Sequence, residues 1–461
     1  MARTSYDDDR FRTSIREGLL SFVRPDEVDE KAIHAFLSCL HYLSADPSKP
    51  EAYAELRIRL EEIDRTIDNP HNYLYYLATP PLLYGVIPRH LKAEGLNRDG
   101  DGFRRIVVEK PFGYDLSSAL ELNRIYLDAF REEQIYRIDH FLGKETVQNI
   151  LALRFANSVF EPLWNRNYID YVEITAVENM GIGTRGGFYD GVGTLRDMVQ
   201  NHLAQLLAVT AMEPPAAFDA SGFRNEVVKV YQSLTPLTGE DIRHSVVRGQ
   251  YMASEGRKGY REEEQVPTLS RTETYLAMRL ELNNWRWGGV PFYIRTGKQM
   301  PTKVSEIVIH FKPAPYSLFR CEGGTCPVPN RLVIRIQPNE GIVLRLGMKK
   351  PGEGFEVLPM DMDFSYAELG RLPTEDAYAR LIEDCIAGDP TLFIRSDAVE
   401  SGWRFFDPIL KYWQDVPECP LYGYPAGSWG PLEADSLMAR HGASWTNPCK
   451  NLTNTHLYCE L

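Results

Sequence analysis

The sequence predicts an α/β N-terminal part built on a parallel sheet, followed by a larger α+β part with a mostly antiparallel sheet. Three observations lead there. Short β-branched and aromatic runs alternate with helical patterning over about the first 135 residues. Beyond Ile150 long strand-like runs follow one another directly. A chain of 461 residues, 43% of them apolar, can bury the cores of two or three domains.

From about Asp26 to Ile87 apolar residues recur mostly at helical spacing, as in Ala52-Tyr53-Ala54-Glu55-Leu56-Arg57-Ile58-Arg59-Leu60. Asn72-Tyr73-Leu74-Tyr75-Tyr76-Leu77 then reads as a strand running into a loop at Pro80-Pro81, and Arg104-Arg105-Ile106-Val107-Val108 ahead of Lys110-Pro111 repeats that form. The second part carries strands at Tyr171 to Val177, Val304 to Phe311 and Asn330 to Gln337. A helix is expected over Thr194 to Met212, and the last forty residues, rich in Gly, Pro and Trp, read as an irregular surface tail.

Charge and composition exclude several partners. With 64 acidic and 51 basic residues the net charge is −13, which repels nucleic acid and anionic membrane. No apolar run approaches the roughly 20 residues of a membrane span, and the opening Met-Ala-Arg-Thr-Ser lacks a signal-peptide core, so a cytoplasmic protein is expected. Seven scattered cysteines argue for thiols rather than a disulfide framework, and the close pair Cys321 and Cys326 has no second pair to complete a zinc site. No metal is expected, and the Asn451-Leu452-Thr453 sequon is idle in such a compartment. A small anionic ligand must be held by local cations working against the global field.

One G-x-G-x-x-G string occurs, Gly181 to Gly186, after a strand-like run. The expected helix starts too late for its amides to cradle a pyrophosphate, so the string reads as a loop beside a site. His202, four residues from Met198 and Leu206, lies on an apolar helix side and alone would be a core histidine. Arg137-Ile138-Asp139-His140-Phe141-Leu142-Gly143-Lys144 changes that reading. A carboxylate that orients an imidazole in an apolar pocket produces a general base near neutral pH.

Arg-Ile-Asp-His-Phe-Leu-Gly-Lys with Glu145-Thr146-Val147-Gln148-Asn149 resembles the signature of the glucose-6-phosphate dehydrogenase family. Glu109-Lys110-Pro111-Phe112-Gly113, Arg196 to His202, Val290 to Lys298, Arg395-Ser396-Asp397 and Gly427-Ser428-Trp429-Gly430-Pro431 match its motifs in order along nearly the whole chain. The resemblance implies an incomplete Rossmann-type NADP-binding domain over 1–137, then a substrate-binding and dimerisation domain over 138–461. It implies oxidation of glucose 6-phosphate to the phosphogluconolactone with NADP, the first step of the oxidative pentose phosphate pathway, in a homodimer or homotetramer.

By that resemblance His202 is the base and Asp139 its orienting carboxylate. His140, Lys144 and Lys303 hold phosphate. Lys110, Glu178, Asp197, Lys298 and Gln337 meet the sugar. Arg3, Lys110 and Tyr84 serve the cofactor, and the bond before Pro111 is expected to be cis, aiming Lys110 into the cleft. The family usually has tyrosine where Phe141 stands, which removes one hydroxyl donor from the phosphate end.

The family's first strand, Gly-x-x-Gly-Asp-Leu loop and first helix have no counterpart ahead of Ala2-Arg3-Thr4, so the resemblance implies that about forty residues are missing. A start codon assigned to an internal methionine and a shortened protein are both open at this point. Open too are weak NADP binding and, as the alternative function, a catalytically impaired module that binds sugar phosphate or oligomerises.

Overall fold

Strand β1, Tyr73–Leu77, opens a three-stranded sheet and pairs in parallel with β2, Arg104–Val108; β3, Ile135–Arg137, completes the order β1-β2-β3. The computed structural model describes residues 1–24, 28–67, 71–316, 319, 329–352, 355–366 and 376–448. Cys321, Cys326 and the Asn451 sequon lie outside the described residues. Contacts divide the chain into two compact units, Met1–Glu109 with Leu120–Tyr136, and Lys110–Ala119 with Arg137–Leu461.

In the first unit, Asp7 caps the helix Asp8–Phe22 by accepting the Arg10 N–H, and Asp29 caps Glu30–Ser38 in the same way. The amphipathic helix Glu51–Ile67 leads to β1, as the 3.6-residue patterning anticipates. Near the start of the chain, Ala2 and Ser44 form an isolated parallel bridge.

The second unit is built on a nine-stranded sheet. Its strands are β4 Ile169–Val177, β5 Val246–Met252, β6 Tyr275–Glu281, β7 Pro291–Gly297, β8 Val304–Phe311, β9 Arg331–Gln337, β10 Gly341–Lys349, β11 Val357–Ser365 and β12 Tyr422–Pro425. Their order is β11-β10-β9-β8-β4-β7-β6-β5-β12, antiparallel except for β4 with β7 and β5 with β12. The central β4 is buried over its last six residues, Glu173 and Thr175 included, whereas β11, whose apolar residues alternate with polar ones, lies at the sheet edge.

Three expectations need correction. The Gly181–Gly186 string is not all loop: Gly183–Arg185 forms a 3-10 turn and Gly186–Tyr189 a short helix. A Cβ on Gly186 would lie 2.0 Å from the Glu264 carbonyl, so this glycine permits close backbone packing. The segment expected as one ordinary helix begins with Leu195–Leu203, whose hydrogen bonds run i→i+5, and continues as the α-helix Ala204–Ala211. The supposed tail contains β12 and the helix Leu432–Ala439, because Tyr424, Leu437, Met438 and Trp445 enter the core beneath β5 to β7.

Candidate active site

The turn after β3 places Asp139 and His140 ahead of the helix Glu145–Phe155, and Lys144 occupies that helix's N-cap. Asp139 Oδ1 accepts the Phe141 N–H at 2.9 Å and meets His202 Nδ1 at 2.6 Å, both side chains being 2% exposed. An ionised carboxylate only accepts, so Nδ1 carries the proton. Nε2 is then an acceptor, and it receives the Lys110 ammonium at 2.9 Å. Burial alone would raise Asp139; the neighbouring His202 and the bonds to His202 and Phe141 outweigh it and hold the carboxyl below its usual range.

Aromatic rings wall this pair. Phe141 stacks on His202 with centroids 4.5 Å apart, His140 meets His202 edge-on at 4.5 Å, and Tyr378 stacks on His140 at 5.9 Å. Burial first, then the neighbouring His202, pushes His140 down to about 4. It therefore stays neutral in this pocket at physiological pH.

A cavity of about 190 Å³ opens beside the imidazoles, with Lys110, Lys144, Glu178, Asp197, Lys298, Lys303 and Gln337 in its wall. At one end the Lys144 ammonium donates to Gln337 Oε1 at 2.5 Å and lies 4.7 Å from the Phe141 ring, while Gln337 Nε2 donates to Ser305 Oγ. Burial lowers Lys144. Lys303 is exposed at the same end.

At the other end Lys298, at the end of β7, donates to Glu178, which follows β4, and to Asp197 Oδ2 at 3.2 Å. Lys110, whose bond to Pro111 is cis, donates to Asp197 Oδ1 at 3.2 Å and to the Asp197 carbonyl at 3.1 Å. Burial works against ionisation of Asp197, but Lys110 and Lys298 together bring its carboxyl down to about 2.

Ten of the twelve residues expected at the site thus converge on one cavity or its dyad. Arg3 and Tyr84 do not belong to that wall: Arg3 is exposed beside the Ala2–Ser44 bridge, and Tyr84 is 2% exposed after the turn Pro81–Leu83. Sequence reasoning does not single out Arg185 or Ser305, which also line the cavity. Position within the Gly181–Gly186 string is the signal that points to Arg185.

The arrangement can remove a proton from a hydroxyl at His202 Nε2, bind an anion at Lys144 and Lys303, and read hydroxyls with two carboxylates and two ammonium groups. Comparison with known proteins meets the same chemistry. Residues 151–446 match the model of the glucose-6-phosphate dehydrogenase C-terminal domain, and residues 1–149 match that of the glucose-6-phosphate dehydrogenase NAD binding domain. The chain is 50% identical over 452 residues to a glucose-6-phosphate 1-dehydrogenase of Aggregatibacter actinomycetemcomitans, covering 97% of this chain and 90% of that protein. It is 46% identical over 464 residues to the enzyme of that name from Treponema pallidum, covering 100% and 90%. A solved structure of glucose-6-phosphate dehydrogenase in complex with its substrate glucose-6-phosphate superimposes with a TM-score of 0.88 at 34% identity, covering 97% and 90% of the two chains.

Proposed function

Because this chain belongs to the glucose-6-phosphate dehydrogenase family, we propose that it oxidises glucose 6-phosphate at carbon 1 to 6-phospho-D-glucono-1,5-lactone with reduction of NADP, opening the oxidative pentose phosphate pathway. The observation that carries the reading is the buried Asp139–His202 pair, whose acceptor nitrogen Nε2 meets the Lys110 ammonium at the cavity.

His202 Nε2 takes the proton of the carbon-1 hydroxyl, and the substrate hydroxyl replaces the Lys110 N–H there. Asp139 keeps the tautomer and stabilises the imidazolium that forms. His140, Lys144 and Lys303 take the phosphate, with Gln337 aiming Lys144. Glu178, Asp197, Lys298 and Lys110 take the sugar hydroxyls and orient the reacting carbon. Asp197 matters twice, since its carboxylate also fixes both lysines.

When bound, NADP supplies the hydride acceptor. Residues present fit it in part: the exposed Arg3 guanidinium would suit a ribose 2′-phosphate, and the Lys110 ammonium, beside the imidazole, would supply a cation to the cofactor as well as to the sugar. Tyr84 completes the proposed set. Residues 1–137 are proposed as the cofactor half and 138–461 as the substrate half.

The protein is further proposed to work as a homodimer or homotetramer in the cytoplasm. Supporting the first is an apolar face on β10 and β11, where Ile342, Leu344, Leu346 and Met348 stand opposite Phe364, Met362, Met360 and Leu358. Met348, Met360 and Met362 are each more than half exposed. Supporting the second, Cys39 and Cys419 are free thiols; no described helix is long and apolar enough to cross a membrane.

NADPH formation from glucose 6-phosphate, followed by absorbance, tests the assignment. His202→Ala should lower kcat by about 10² to 10⁴-fold with glucose 6-phosphate binding retained in calorimetry. Activity equal to the parent's would remove His202 from the mechanism.

A further inference from the structure

The helix Leu195–Leu203 carries Asp197 and His202, yet its N-cap residue Thr194 makes no side-chain bond to the free N–H groups of its first turn. The acceptor comes from far along the chain. Glu273, 6% exposed and two residues ahead of β6, takes the Leu195 N–H on Oε1 at 3.0 Å. Its backbone carbonyl takes the Thr194 N–H at 3.2 Å and the Thr194 hydroxyl at 2.9 Å. The hydroxyl of Tyr189, whose ring lies 5.6 Å from the Lys298 ammonium, meets Thr194 Oγ1 at 2.7 Å.

The next residue reaches the opposite wall of the cavity. The Thr274 carbonyl accepts the Lys298 N–H at 2.9 Å, and the Tyr424 hydroxyl donates to the Lys298 carbonyl at 2.7 Å. One dipeptide therefore grips both the start of the base-bearing helix and the backbone of the lysine that binds Asp197.

The winding of that helix explains the need for a grip. Bonds that run i→i+5 set residues five apart nearly above one another, which brings Asp197 and His202 to one face; in an α-helix that relation belongs to residues four apart. Such winding is rare, so its first turn needs a partner outside the helix. Gly193 shows how close the fit is. Its φ is +73°, and a Cβ there would lie 2.5 Å from Glu273 Oε1.

We propose that Glu273 is a positioning residue for the sugar end of the cavity: by holding the first turn of the wide helix it sets Asp197 against Lys298 and Lys110. His202, five residues on, has its own anchor in Asp139 and depends on Glu273 less. Burial pushes the Glu273 carboxyl up, and protonated or ionised it retains an oxygen for the Leu195 N–H. The inference rests on the glucose 6-phosphate reading of the site.

The test compares the parent with Glu273→Ala, Glu273→Gln and Gly193→Ala, measuring melting temperature, KM, kcat and the calorimetric Kd for glucose 6-phosphate. Glu273→Ala should raise KM and Kd about tenfold with kcat within about threefold, because a substrate-reading carboxylate shifts while the base stays held. Glu273→Gln keeps the acceptor and should stay within about twofold of the parent. Gly193→Ala pushes on the contact from its other side and should reproduce the Glu273→Ala pattern, carrying the test if that variant does not fold. Unchanged KM and Kd in Glu273→Ala, or a Gln variant as impaired as the Ala variant, would overturn the proposal. A parent that binds no glucose 6-phosphate overturns the substrate reading and this inference with it.

Discussion

At the scale of single residues, the cavity works by assigning protons. His202 donates from Nδ1 to Asp139 and keeps Nε2 as the acceptor, a division set by one 2.6 Å contact between two buried side chains. His140, beside it, is held at about 4 by burial and then by His202, with Lys110 and Lys144 adding and Asp139 opposing. The unfolded chain protonates this histidine near its ordinary 6.5, whereas the folded chain refuses the proton until about 4. The unfolded state therefore binds more protons in that window, and stability should decline as pH falls from about 6.5 to 4. Thermal melts at pH 7.0, 5.5 and 4.5, taken as round values across that window, should show the decline, and His140→Asn should flatten it. An equal slope in the variant would assign the decline to other groups.

Among the elements, a β7 residue secures the end of the described chain. Arg295, 1% exposed, donates to the Thr446 carbonyl and to Asn447 Oδ1, each at 2.8 Å, and its guanidinium lies 4.7 Å from the Trp429 ring and 4.5 Å from that of Trp445. Glu173 on β4 takes the Thr446 N–H and hydroxyl at 2.8 Å each. Arg295→Met should cost about 2 to 4 kcal/mol in chemical denaturation through the lost charged bonds and ring contacts, with glucose 6-phosphate affinity unchanged because Arg295 is outside the cavity wall. An unaltered midpoint would show that the tail docks without it. Local composition could not reveal this docking: Gly, Pro and Trp read as irregular until β5 and β7 provide surfaces for Trp429 and Trp445 to cover. The i→i+5 winding is hidden for a similar reason, since Glu273 and Gly193, which support it, are eighty residues apart.

For the whole molecule, charge and apolar surface separate on β10 and β11. Arg345 pairs with Asp361 at 2.7 Å on one face, while eight apolar residues occupy the other. Such a face is the surface on which the proposed self-association would bury apolar side chains. Sedimentation should find a dimer or larger assembly for the parent, and Met360→Lys with Met362→Lys should shift it toward monomer while leaving the cavity intact. An unchanged mass would place the subunit contact elsewhere. The sequence by itself determined the parallel and antiparallel regions, because strand period and β-branched runs are local properties. It also singled out Asp139, His140, Lys144 and His202, because the first three stand within six positions of one another and both their segment and Arg196 to His202 resemble a family's motifs. Tertiary structure alone decided that Gln337 accepts from Lys144, that Arg185 and Ser305 join the wall, and that Glu273 accepts from the first turn of the helix that carries His202. Those roles depend on distances between strands and helices far apart in the chain, and such distances exist only once the nine-stranded sheet has assembled.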